Sequence, residues 1–251
     1  MVRILILGRS SVSGLGVERE ESWPEVLRVE LERELGTPIE LHTRTFRPDG
    51  RDPTQYLERL VKEIEPDVIN VSVAIYDFAA ARVENRIQER FGRRIAQAAY
   101  KVEKFTTDPH RSGNLGRVNR WSRRLAHRFV GAAPRMAREQ VEYTLDNAFR
   151  FLARQEQIAV VVRHSSTASK VLLQANPAYN GMLESFNAEW KARALKHHFY
   201  WAEGEPYAED EYMRDGLHTT PAGHRRRATV MAPYFVRAIR ERVLQPEAAG
   251  R

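Results

Sequence analysis

The sequence contains no cysteine, which excludes disulfide bonds, zinc sites with thiolate ligands and cysteine nucleophiles. It also lacks any apolar run near the roughly 20 residues that a membrane-spanning helix needs. The short apolar segment at the start, Val2 to Leu7, runs directly into a Gly/Ser turn and has no small-residue cleavage site of the kind that follows a signal peptide. By default, these absences favour a cytoplasmic protein.

Positive charge is unevenly distributed along the 251 residues. The net charge is +7, and the segment 82–135 alone holds fourteen Lys and Arg residues against four Asp and Glu, so the remainder carries about −3. Apolar residues recur at helical spacing within this basic segment. This pattern favours a helical lid or cap that covers a substrate cleft. A contact between copies of the chain in a homo-oligomer is the second interpretation. Nucleic-acid binding is the least favoured, because arginines on an outer helix face are usually solvated.

Strand-like and helix-like patterns alternate along most of the chain. The capping-box residues Ser22 and Glu25 are predicted to begin the first helix and Gly36 to end it. Alternation of strands with helices predicts an α/β fold with a parallel sheet. The chain is expected to form a single domain over residues 1–251, with a helical insertion at about 82–135. The predicted strands are 2–7, 39–41, 68–75, 158–162 and 199–201.

Two short motifs at opposite ends of the chain carry candidate catalytic residues. Gly8-Arg9-Ser10 ends the first strand, and Asp215-Gly216-Leu217-His218 precedes the last helix. A serine nucleophile needs a histidine to take its proton, and that histidine needs a carboxylate to hold its tautomer. Ser10 is well placed, because active sites of open parallel sheets lie at the carboxyl ends of strands. If the fold brings the two ends together, the pattern predicts a serine hydrolase.

These two motifs, and their order, resemble those of the SGNH/GDSL hydrolase family. The first block of that family reads roughly Gly-Asp-Ser, and its last block is Asp-x-x-His followed by a helix. The resemblance covers nearly the whole chain apart from the segment around 82–135. It implies a flavodoxin-like three-layer α/β/α fold with a central parallel sheet of about five strands. It further implies that Ser10 is the nucleophile, His218 the base and Asp215 the orienting carboxylate, with no metal or cofactor.

The sequence departs from the family pattern where the oxyanion is stabilised. Arg9 stands where the family has aspartate, and Tyr76 stands where the third block has the asparagine that donates to the oxyanion. Removing one such donor typically lowers the rate about 100- to 1000-fold. The Tyr76 hydroxyl is a candidate replacement, and Gly50 is the best candidate for the backbone donor of the second block.

Several other polar residues have competing interpretations. Ser11 and Ser13 are alternative nucleophiles on the Ser10 loop, although the block alignment favours Ser10. His224 is expected to be structural. Asp77 is expected to cap the next segment or to pair with an arginine.

Two cationic or titratable residues remain near the predicted site. Arg9 is either a surface residue or a contact for an anionic acyl or leaving group, because guanidinium groups suit carboxylates and phosphates. His164 follows the fourth predicted strand, so topology places it on the active-site edge as a candidate substrate contact.

We therefore predict a serine esterase or acyl hydrolase that acts on a small carboxylic ester, such as an acylated sugar or a short acyl ester, through an acyl-enzyme. Two alternatives remain open. One is a degenerate SGNH-fold protein that binds a ligand or partner without turnover, which would not react with a fluorophosphonate. The other is an acyltransferase that uses the same triad, which product analysis with added acceptors would reveal.

Overall fold

The computed structural model describes residues 1–10, 12–79, 134–164, 167–204, 206–213 and 216–244. The chain forms two compact units, one made of Met1–Ile75 with Arg138–Arg251 and the other of Tyr76–Ala137. The basic segment predicted at 82–135 falls almost entirely outside the described residues. Its assignment as a lid, a cap or an oligomer contact therefore stays a prediction.

A five-stranded parallel sheet forms the centre of the first unit, in the order β2-β1-β3-β4-β5. The strands are β1 (Val2–Gly8), β2 (Ile39–Thr45), β3 (Val68–Ser72), β4 (Ala159–Arg163) and β5 (Tyr200–Ala202). Among the described residues, the α-helices in order are α1 (Trp23–Leu35), α2 (Thr54–Ile64), α3 (Tyr76–Ala79), α4 (Arg138–Leu152), α5 (Lys170–Ala175), α6 (Tyr179–Lys196) and α7 (Pro221–Ile239). All of them except α3 belong to the first unit.

Helices cover both faces of this sheet. Successive side chains of a strand point to opposite faces, and β1 is buried on both sides, as expected for a central parallel strand. On one face, Ile4 and Ile6 pack with Trp23 and Leu27 of α1 and with Phe235 of α7. On the other face lie α2, α4 and α6. The predicted three-layer α/β/α architecture and its five-stranded parallel sheet are therefore confirmed.

Helices α4 and α6 of the second face are joined by aromatic contacts. The rings of Phe149 and Trp190 meet edge to face with their centroids 5.0 Å apart, an arrangement that adds about 1 kcal/mol to the burial of the two side chains. Across the ranges that the structure describes, every helix is too short or too polar for a bilayer span.

Several predicted boundaries differ from the structure. Strand β3 ends at Ser72 rather than at residue 75, and α5 was not predicted. The predicted capping box is wrong, because the Ser22 side chain accepts no hydrogen bond from α1. Its hydroxyl instead donates to the Arg19 carbonyl at 2.6 Å, and Glu25 pairs with Arg28 at 2.9 Å.

Candidate active site

Ser10 lies on a tight turn that follows β1. The Arg9 carbonyl accepts the Val12 N–H at 2.8 Å, and the Ser10 carbonyl accepts the Leu15 N–H at 3.1 Å. Gly8 is needed at the start of this turn, because a Cβ there would lie 2.2 Å from Val12 Cγ2. The turn therefore holds a partly exposed Ser10 at the carboxyl end of a central strand.

His218 lies on the loop that leads into α7. The Met213 N–H donates to the His218 carbonyl at 2.7 Å, and Tyr212 and Thr219 form an antiparallel bridge across the loop. Gly216, two residues before the histidine, has a φ of +67°. Its carbonyl accepts the Ser169 hydroxyl at 2.6 Å, which ties the loop to the start of α5.

The two loops meet at the edge of the sheet. His218 Nε2 and Ser10 Oγ are 2.9 Å apart, although 208 positions separate the residues in the sequence. The loops also pack directly on each other, because a Cβ on Gly16 would lie only 2.6 Å from Met213 Cε. The pair has the geometry of a nucleophile and its general base. Asp215 and Ser11 lie outside the described residues, so their predicted roles stay predictions.

His224 stands behind this pair and is 1 % exposed. Its Nδ1 accepts the Trp23 N–H at 2.9 Å, which satisfies a backbone donor at the start of α1. Burial lowers the pKa of His224 to about 4, helped by the positive charges of Arg227, His218 and Arg163. The predicted structural role of His224 is confirmed by this contact.

The geometry around Gly50 does not support its predicted role as an oxyanion donor. The Gly50 N–H donates to Thr144 Oγ1 at 3.0 Å, and the Thr144 hydroxyl in turn donates to the Arg51 carbonyl at 2.9 Å. The Gly50 amide is therefore used to fix its own loop to α4. By contrast, the Ser10 N–H has no hydrogen-bond acceptor within the described part of the chain.

The remaining predicted site residues have separate surroundings. Arg9 is partly buried and is adjacent to the nucleophile in the turn. Tyr76 begins α3 in the second unit, and its oxyanion role stays a prediction. In the same unit, the Asp77 carboxylate is 3.8 Å from the Arg135 guanidinium, and the Asp77 carbonyl accepts the N–H groups of Arg135 and Met136. The prediction that Asp77 pairs with an arginine is confirmed.

His164 directly follows β4. Its ring stacks on Trp201 with the centroids 6.4 Å apart, and it lines a small cavity beside the ends of β4 and β5. The close approach of Gly204 leaves no room for a side chain there, because a Cβ would lie 2.3 Å from His164 Nε2. Whether His164 contacts substrate stays a prediction.

Comparison with known proteins gives a fold but no sequence match. No protein-family model matches this sequence, and no curated protein matches it. The crystal structure of TesA is similar with a TM-score of 0.57 at 15 % identity, over 94 % of this chain and 99 % of that one. A putative GDSL-like lipase from Parabacteroides merdae ATCC 43184 is similar with a TM-score of 0.53 at 13 % identity, over 94 % of this chain and 96 % of that one.

The fold is that of the SGNH/GDSL hydrolases. A third similar structure is LAE5, an α/β hydrolase enzyme from the metagenome of Lake Arreo, Spain. Its TM-score is 0.53 at 13 % identity, and the match covers 94 % of both chains. In all three cases the likeness extends over 94 % of this chain.

Sequence reasoning missed a polar contact beneath the nucleophile turn of this SGNH-type fold. Arg163, the last residue of β4, donates to Ser72 Oγ through Nε at 3.1 Å and Nη2 at 3.0 Å. Ser72 Oγ would in turn lie 3.7 Å from a Cβ placed on Gly8. The available signal was an arginine that immediately follows the apolar run of β4, where the strand ends near the site.

Proposed function

We propose that the protein is a serine esterase of the SGNH type that hydrolyses a small carboxylic ester, such as an acylated sugar or a short acyl ester. The observation that carries this proposal is the 2.9 Å contact between Ser10 Oγ and His218 Nε2. The similarity of the fold to SGNH/GDSL hydrolases supports it. The position of this pair at the carboxyl end of a strand supports the proposal too, because enzymes with open parallel sheets carry their chemistry there.

In the first half of the reaction, Ser10 Oγ attacks the ester carbonyl carbon while His218 Nε2 takes the hydroxyl proton. The tetrahedral intermediate collapses when its C–O bond to the alcohol breaks and His218 returns the proton to the leaving oxygen. In the second half, His218 takes a proton from water as the water oxygen attacks the acyl carbonyl carbon. The C–O bond to Ser10 then breaks, and His218 returns the proton to Ser10 Oγ, which releases the acid and restores both residues. Asp215 is assigned to orient His218.

Stabilisation of the oxyanion is assigned first to the Ser10 N–H. This donor lies on the nucleophile itself and has no acceptor within the described residues. Tyr76 is assigned as a side-chain donor in place of the missing asparagine. Arg9, next to the nucleophile, is assigned to an anionic part of the acyl or leaving group, because a guanidinium binds carboxylate and phosphate well.

Hydrolysis of p-nitrophenyl acetate and butyrate tests the assignment of Ser10. We expect Ser10→Ala to lower kcat at least about 1000-fold, because it removes the nucleophile of a cooperating pair. Ser13→Ala is the matched control, because Ser13 lies on the same turn and its exposed hydroxyl donates to the Ser10 carbonyl at 3.0 Å. This control should stay within about threefold of the wild type, since it loses one exposed hydrogen bond.

Two outcomes would remove the proposal. Retained hydrolysis in Ser10→Ala would exclude Ser10 as the nucleophile. A folded wild-type protein that turns over neither ester and does not react with a fluorophosphonate would point to a binding protein without catalysis. Product analysis with an added acceptor alcohol separates hydrolysis from acyl transfer, since only transfer yields a new ester.

A further inference from the structure

A small cavity lies at the ends of β4 and β5 against the first turns of α7. Its wall includes Arg163, His164, Gly204, Tyr207, Arg226 and Arg227, and its volume is about 20 Å³. A cavity of this size holds one water-sized species. A chloride ion is of comparable size, so the dimensions suit a single small ion. The charges of the wall decide which kind of ion.

Arg227 provides a buried hydrogen-bond donor that has no acceptor in the described part of the chain. The residue is 8 % exposed, and its Nε donates to the Tyr207 hydroxyl. The guanidinium also lies over the Tyr207 ring, with Cζ 5.3 Å from the centroid. Its Nη1 is buried and has no hydrogen-bond partner among the described residues. Such an unpaired donor on a charged group is costly unless something in the cavity accepts from it.

Arg163 adds a second guanidinium to the same wall. Both of its hydrogen bonds go to the neutral Ser72 hydroxyl, and its Cζ lies 5.8 Å from the centroid of the Trp23 ring. Burial and the positive charge of Arg227 together lower the pKa of Arg163 to about 9. The two guanidinium groups line the same small cavity, so their like charges repel each other.

Within the ranges that the structure describes, no carboxylate offsets these two charges, because neither Arg163 nor Arg227 forms an ion pair. Glu203 pairs with Lys191. Glu211 lies 3.6 Å from Arg226, a third arginine of the wall. The cavity wall thus carries positive charge in excess, and buried charges are normally paired.

We propose that this cavity binds one small inorganic anion of halide size between the guanidinium groups of Arg163 and Arg227. The anion accepts from Arg227 Nη1, which satisfies the unpaired donor, and its charge offsets the repulsion between the two arginines. The Tyr207 hydroxyl accepts from Arg227 Nε and has its own proton free to donate to the anion. The site is separate from the Ser10–His218 pair and holds whether or not the protein hydrolyses esters.

Thermal unfolding in chloride tests this site. Sodium chloride is varied from about 1 mM to about 300 mM, with sodium gluconate keeping the ionic strength constant. Because a ligand of the folded state stabilises by mass action, we expect Tm to rise by about 3 to 5 °C per tenfold increase in chloride above the dissociation constant. Arg227→Met should abolish this dependence.

Arg225→Met is the matched control. Arg225 lies on the same helix two residues away, is exposed and stands 4.0 Å from Glu21. The control removes one positive charge without touching the cavity, so it should keep the chloride dependence of the wild type. Inorganic phosphate at the same ionic strength should give no further rise in Tm, because it is larger than the cavity.

Bromide in crystals of the wild-type protein provides a test that needs no variant. Bromide replaces chloride and gives an anomalous peak, which we expect within hydrogen-bond distance of Arg227 Nη1. A wild-type Tm that ignores chloride, an unchanged dependence in Arg227→Met or a missing bromide peak would each overturn the proposal. A bromide peak without a chloride-dependent Tm would mean an adventitious ion only. If Arg227→Met does not fold, the wild-type titration and the bromide peak decide.

Discussion

At the scale of single residues, His224 satisfies a backbone donor at the start of α1. The Trp23 N–H donates to His224 Nδ1 from α7, 201 positions away. Nδ1 accepts only in the neutral imidazole, so the proton of this ring is assigned to Nε2. The stability of the contact between α1 and α7 therefore depends on the protonation state of one buried histidine.

This dependence predicts a loss of stability in mild acid. The pKa of His224 is lowered from 6.5 to about 4 by burial and by the positive charges around it. Between these two pH values the unfolded chain binds a proton at His224 and the folded chain does not. The free energy of unfolding should therefore fall as the pH drops from 6.5 toward 4, by up to about 3 kcal/mol from this residue.

Urea denaturation at a series of pH values measures the effect. His224→Asn keeps an acceptor but does not titrate, so its free energy of unfolding should decline less steeply over this window than that of the wild type. His42→Asn is the control, because His42 lies on β2 and contacts Glu40 at 3.0 Å, away from the α1–α7 contact. Parallel slopes for the wild type and His224→Asn would show that the buried imidazole does not control stability.

At the scale of elements, the loop before α7 carries the base and is held by contacts with α5. The Ser169 hydroxyl donates to the Gly216 carbonyl and also accepts the Leu172 N–H at 3.3 Å, which caps α5. A Cβ on Gly216 would lie 2.4 Å from Ser169 Oγ and 2.5 Å from Val171 Cβ. The position of the loop that carries His218 therefore depends on having glycine at position 216.

Comparison of two glycine variants isolates this contact. Gly216→Ala and Gly36→Ala both place alanine at a positive φ, +67° and +62°, which costs about 1 kcal/mol in each case. A Cβ on Gly36 meets nothing within 4 Å, so that variant should lose stability only. Gly216→Ala should also lower kcat for p-nitrophenyl acetate about 10- to 100-fold, because a shift of about 1 Å in a catalytic group has this effect.

These measurements are made at a temperature where both glycine variants are folded, as shown by circular dichroism. Equal kcat values for Gly216→Ala and Gly36→Ala would contradict the claim that the α5 contact positions the base.

Elements that rest on local pattern were predictable, and those that rest on distant contacts were not. The apolar run of β1 and the stop at Gly36 follow from periodicity and from the backbone freedom of glycine, and both agree with the structure. The Ser22 cap failed because the Ser22 hydroxyl donates to the Arg19 carbonyl instead, a contact that the capping-box pattern does not report. The Gly50 amide was misassigned because its acceptor, Thr144, lies 94 positions away, and no sequence period reports such a pair.

At the scale of the whole molecule, the parallel topology brings the loop after β1 and the loop before α7 to one edge of the sheet. Strand β1 is central, and α1 and α7 pack on the same face, so the loops that carry Ser10 and His218 converge. The pairing of a nucleophile with a base was predictable from the motifs and their order. The charged cavity at Arg163 and Arg227 was not, because its wall comes from β4, α7 and the segment after β5.

The central claim is that His218 activates Ser10 as a nucleophile. Labelling of the folded protein with a fluorophosphonate, followed by peptide mass spectrometry, tests it most directly. We expect one label, on Ser10, and labelling at least about 100-fold slower in His218→Ala, because serine is a weak nucleophile without its base. A folded wild-type protein without label, a label on another serine, or equal rates in the two proteins would contradict it.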